Sequence, residues 1–170
     1  MKLRKFHGDS FVVDEDGNWV YQGSEYQAVD DSWLRLRTGQ LILTVALWIL
    51  FLGIGFQNTG LSRILSVFLP WIVSFFPALW LTVSLVGLFR KKPPFRQEAY
   101  RNLLKRPHTM SLLLLVLALL GVISGTAALA VQVGAAPGEW VHLTLLLLYL
   151  FCCGGLAMIT TSLKESFYKV

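Results

Sequence analysis

Four long apolar runs, at about residues 39–56, 64–88, 110–133 and 140–163, leave this chain few ways to fold. None of the four contains Asp, Glu, Lys or Arg. A bilayer core roughly 30 Å thick needs about 20 apolar residues at about 1.5 Å of rise each, so every run is close to spanning length. Hydrocarbon offers no partners to a bare backbone, so each run must be helical if it crosses. The composition agrees: 55% of the residues are hydrophobic and 15% charged, against about 45–50% and about 25% in soluble domains. A soluble enzyme, a disordered tail and a disulfide-stapled module are all excluded. The expected fold is an all-α integral membrane protein with four transmembrane helices.

The links between runs set the topology. Residues 57–63 and 134–139 are short connections, which predict two antiparallel hairpins. Arg63 is the only base in these two links. Fourteen others lie in the first 38 residues, in the connection 90–109 and in the tail; the connection holds Arg90, Lys91, Lys92, Arg96, Arg101, Lys105 and Arg106. The positive-inside rule then predicts that both termini and the middle connection are cytoplasmic, in a cell membrane of the bacterial inner-membrane type. The seven bases of the middle connection are candidate contacts for anionic lipid headgroups or for the leader, at about 1 kcal/mol per base near the surface. Nucleic acid is not an expected partner, because the positive charge rims membrane helices.

Residues 1–31 form an acidic leader, with seven acids against three bases, whereas residues 32–170 carry three acids against twelve bases. The leader lacks a continuous apolar stretch, so a cleavable signal is not expected. Phe11-Val12-Val13 and Trp19-Val20-Tyr21 flank Glu15-Asp16-Gly17-Asn18, which predicts a small cytoplasmic β-hairpin. Docking of that hairpin near the basic connection would shield Trp19 and Tyr21. Asp31-Ser32 can cap the first helix, placing Trp33 at headgroup level. After Pro93-Pro94, residues 95–106 read as a short amphipathic helix on the inner leaflet, ended by Pro107.

Chemistry is harder to find. A proton-coupled exporter needs an acid within a span, and a thiol oxidoreductase needs spaced, accessible cysteines. The runs offer only the adjacent pair Cys152-Cys153. Residues around Asp14-Glu15-Asp16-Gly17 misalign with a calcium loop, since Val12 would take the first ligand position. His7, His108 and His142 are too scattered to share a metal, and His142 reads as an interfacial or hydrogen-bonded side chain. No catalytic residue, metal site or cofactor is expected.

Two packing signals remain. Gly121 and Gly125 form a Gly-x-x-x-Gly pattern, and Gly154 and Gly155 lie at a matching depth in the fourth run, so close approach of these helices is expected. Pro70 and Pro77 should kink the second helix. The expected function is that of a non-enzymatic accessory or scaffold subunit whose cytoplasmic face meets a membrane or cytoplasmic protein partner. The alternative, suggested by the two prolines, is a small transporter or channel for a neutral or lipophilic solute. The sequence leaves the oligomeric state open.

Overall fold

The structure, a computed structural model, describes residues 11–13, 19–21, 25–29, 31–131 and 136–169. Among the described residues, four helices are long and apolar enough to cross a membrane: Ser32–Gly55, Leu65–Arg90, Gln97–Val131 and Pro137–Glu165. We label the first α1 and the last α6. The second is interrupted at Ser74 into α2 (Leu65–Val73) and α3 (Phe75–Arg90). The third consists of α4 (Gln97–Tyr100), a wider π-helical turn (Arg101–Lys105) and α5 (Arg106–Val131). At 35 residues it is about 52 Å long, about 22 Å more than the roughly 30 Å thickness of a bilayer's hydrocarbon core.

Each span buries one stripe and turns the rest outward. On α6 the buried stripe is His142, Leu146, Tyr149, Cys153, Leu156, Thr160 and Leu163, in alternating steps of four and three residues. The second span repeats the rhythm through Val67, Ser74, Ala78, Leu81, Leu85 and Leu88, and α1 through Gln40, Thr44, Leu47, Phe51 and Ile54. That 3.5-residue period is the pattern of knobs-into-holes packing in bundles. The outward faces stay apolar, with Ile49 65%, Phe76 72% and Phe151 74% exposed, which suits lipid contact and not water. α6 packs most extensively on α5 and α1, and the second span packs mainly on α5.

Side-chain hydrogen bonds pin these interfaces. Trp48 donates to Thr82 (2.9 Å) and Trp71 to the carbonyl of Phe51 (3.2 Å), joining α1 to α3 and α2. Ser74 and Tyr149 share a bond of 2.9 Å, and Ser111 and Thr160 one of 2.7 Å, linking α6 to the second and third spans. In membrane bundles such bonds contribute about 0.6 kcal/mol each on average, so they act together.

Five short strands complete the fold among the described residues. β1 (Phe11–Val13) and β2 (Trp19–Tyr21) pair antiparallel, with Phe11 opposite Tyr21. The turn expected at residues 15–18 lies outside the described residues, as does His7. β3 (Glu25–Ala28) is the centre of a three-stranded antiparallel sheet, flanked by β4 (Phe95–Arg96) and β5 (Phe167–Lys169). This sheet joins the segment before α1, the connection before α4 and the segment after α6, so all three meet at one end of the bundle.

One expectation is corrected here. Residues 95–106 are not a separate surface helix: Phe95 and Arg96 are strand, and the helix that starts at Gln97 runs on through Pro107. The π-helical turn lengthens the hydrogen-bond ring just before a residue that has no N–H to offer, so Pro107 need not end the helix. Leu103 and Leu104 are buried there, and Leu103 occupies space left by Gly87, where an added Cβ would sit 2.6 Å from Leu103 Cδ2. Ser84 also reaches the freed carbonyl of Asn102 (3.4 Å). Trp33, expected at headgroup level, is 7% exposed. It packs against Phe167 at 6.2 Å, beneath the sheet.

Candidate functional site

The two ends of the bundle hold the residues with chemical potential. At the sheet end, Trp33, Leu88, Phe95, Leu103, Leu104, Leu163 and Phe167 form a buried cluster of their own. Tyr26 of β3 stacks on Tyr100 of α4 at 3.8 Å, and the Tyr100 hydroxyl donates to the carbonyl of Lys164 (3.4 Å). Backbone pairing thus fixes the sheet, and aromatic packing fixes it to the bundle.

Arg90, Lys91, Lys92, Arg96, Arg101, Lys105 and Arg106 are all exposed around this end. Arg96 stands opposite Glu25 in the sheet, so leader and middle connection meet through β3. Lys92 lines an open groove with Trp33, Arg37 and Pro93-Pro94. Arg37, on α1, holds its guanidinium between Trp33 (5.0 Å) and Phe89 (4.3 Å). The corresponding Arg106 sits 5.9 Å from Trp80. These cation–π contacts anchor bases against apolar walls.

The glycines pack, but not on one another. A Cβ at Gly121 would meet Leu146 at 3.8 Å, and one at Gly125 would meet Leu146 at 3.4 Å. One at Gly154 would meet Leu115 at 3.9 Å, while one at Gly155 would meet Leu43 of α1 at 2.9 Å. Each glycine therefore faces a leucine on another helix, because a large knob needs a small hole opposite it. Gly155 serves the contact with α1 and not the contact with α5.

Pro70 and Pro77 bracket the interruption at Ser74. Pro77 cannot donate to the carbonyl four residues earlier, so the ladder loses a bond there. The Ser74 hydroxyl donates to the carbonyl of Trp71 (2.6 Å) and pairs with Tyr149 (2.9 Å), which ties the interruption to α6.

His142, expected to be an interfacial or hydrogen-bonded side chain, lies at the end remote from the sheet. It is 1% exposed, and neither ring nitrogen has a hydrogen-bond partner among the described residues. It lines a cavity of about 130 Å³. Ile54, Val67, Trp71 and Leu146 supply apolar walls, while Gln57 and Ser62 bring polar groups. Ser62 is already committed, donating to Thr59 O at 2.7 Å and accepting from Thr59 N–H at 3.1 Å. Gly55 and Phe68, both exposed, also line the cavity, so it opens between α1 and α2.

No family model, curated protein or solved structure matches the chain. The site must therefore be read from its own geometry. Among the described residues no three His, Cys, Asp or Glu side chains come together as a metal site. Cys152 and Cys153 are free and buried, and Cys152 Sγ donates to the carbonyl of Leu43 (3.2 Å). His142 shares a helix face with other buried residues of α6. Its spacing from Tyr149 and Thr160 puts all three on one helix face, and that spacing was the available signal.

Proposed function

We propose that this protein is a non-enzymatic accessory or scaffold subunit of a bacterial inner membrane. In this reading its spans form two antiparallel hairpins, and the termini and loop 90–109 face the cytoplasm with the β1–β2 hairpin beside them. The sheet end meets a protein partner, the basic rim meets anionic headgroups, and nucleic acid plays no part. The observation that carries the reading is the pairing of β3 with β4 and β5. It gathers three separate segments into one ordered, base-rimmed surface, which a protein that needed only to span the bilayer would not require. A second reading, a small transporter or channel for a neutral or lipophilic solute, draws on the interrupted second span and the cavity beside it.

Purification in mild detergent tests the first reading. A stoichiometric partner should co-purify with the native protein and be lost from Tyr26→Pro, which breaks β3 where it pairs on both sides, while helical content is retained. A solitary protein that moves a neutral solute in liposomes would favour the second reading. Orientation has its own test: cysteines placed at Asn58 and Ala136 should label from outside the cell, and one at Asn102 only from inside.

A further inference from the structure

The geometry points to the His142 cavity as a binding site for a neutral, single-ring molecule bearing one hydroxyl or carbonyl oxygen. This stands whether or not the sheet end has a protein partner.

Size sets the first limit. Drug-sized pockets run to roughly 300–1,000 Å³, whereas this cavity is about 130 Å³. An engineered apolar cavity of about 150 Å³ in another protein accommodates benzene, so one six-membered ring is the scale of the occupant. Charge sets the second limit. Among the described residues lining the cavity there is no Asp, Glu, Lys or Arg, so an ionic ligand would lack a counter-charge. The polar inventory sets the third. Buried imidazole nitrogens without partners are costly, and those of His142 have none among the described residues. With Ser62 engaged by Thr59, His142 and Gln57 remain to meet the occupant. Internal waters need about 2–4 polar partners each, and Ile54, Val67, Trp71 and Leu146 supply none to fill the rest of the space with water. An apolar ring against those walls, with one oxygen at His142, satisfies both halves of the lining.

Such a ring can arrive from water or as the head of a membrane lipid, and the cavity's opening between α1 and α2 admits either. Phenol represents the first source and 4-decylphenol the second. The Trp71 indole N–H, which donates to Phe51 O, is the reporter in an NMR titration of detergent-solubilised full-length protein labelled at tryptophan. The Trp48 indole, bonded to Thr82, reports that the bundle is intact. A saturable shift of Trp71 with phenol or 4-decylphenol is expected, with benzene at least tenfold weaker. The shift should vanish in His142→Phe, which keeps a ring but loses the nitrogens, and in Val67→Phe, which fills the cavity and keeps His142. Tighter binding of phenol assigns a water-borne ligand, and tighter binding of 4-decylphenol a membrane one. No saturable shift with either compound would mean that water alone occupies the cavity and would overturn the proposal. An undiminished shift in a folded Val67→Phe protein would overturn it too, because the ring would then sit elsewhere.

Discussion

At one end of the bundle a three-stranded sheet lies over Trp33, Phe95 and Phe167; at the other, a buried imidazole faces a cavity. The sheet end is closed by pairing: β3 bonds to strands on both sides, and Tyr26 stacks on Tyr100. The cavity end carries a polar ring whose nitrogens have no partner among the described residues. The two ends therefore spend their polar groups differently. Backbone groups at the sheet end are satisfied by one another and hold three chain segments together. His142 is held in place by packing alone and leaves its hydrogen-bonding capacity unspent, which is the state expected of a binding group and not of a structural one.

The contrast is broken most forcefully at Phe95. This residue is 1% exposed and touches Phe167 at a centroid distance of 5.3 Å. Phe95→Ala should cost about 3–5 kcal/mol, since it leaves a large void and frees the β4 edge. Equilibrium unfolding in mixed micelles measures this. A loss below about 1 kcal/mol would mean that the sheet is an ornament on the bundle.

The opposite end should respond with the opposite sign. His142→Leu removes a polar group that lacks partners, and an unpaired buried group costs roughly 1–3 kcal/mol. We expect the apo protein to gain about 1 kcal/mol and its thermal midpoint to rise. A clear loss of stability instead would show that the imidazole makes structural bonds, and the distinction between the two ends would collapse.

The smallest effect is expected at the rim of the sheet end. Arg37→Lys keeps the charge but loses a planar cation held between Trp33 and Phe89, which is worth roughly 0.5–1 kcal/mol. The same unfolding assay resolves it. An unchanged midpoint would mean that the charge matters there and the stacking does not.

The apolar runs made the four spans legible without coordinates, because a run of that length with no charge has one backbone solution in hydrocarbon. The same property hid how the spans pack. When every face is apolar, hydrophobic periodicity vanishes, and only the sparse polar and small residues, such as Gln40, Ser74, Ser111 and Tyr149, mark the inward stripe. Depth alone put Gly121 against Gly154, whereas packing set each of them against a leucine.

The sheet was illegible for a different reason. Glu25-Tyr26-Gln27-Ala28, Phe95-Arg96 and Phe167-Tyr168-Lys169 are too short to carry a strand signal, and they pair across separations of roughly 70 and 140 residues that no local pattern encodes. They become strands because the helices bring them side by side over a common aromatic floor. His142 follows the same logic. Its identity is local, but its isolation depends on what α1 and α2 place around it, and those neighbours belong to other spans. Covalent order is enough to specify what must enter a membrane. Which polar groups find partners there is settled by long-range packing, since an unpaired atom is a property of its surroundings and not of its residue.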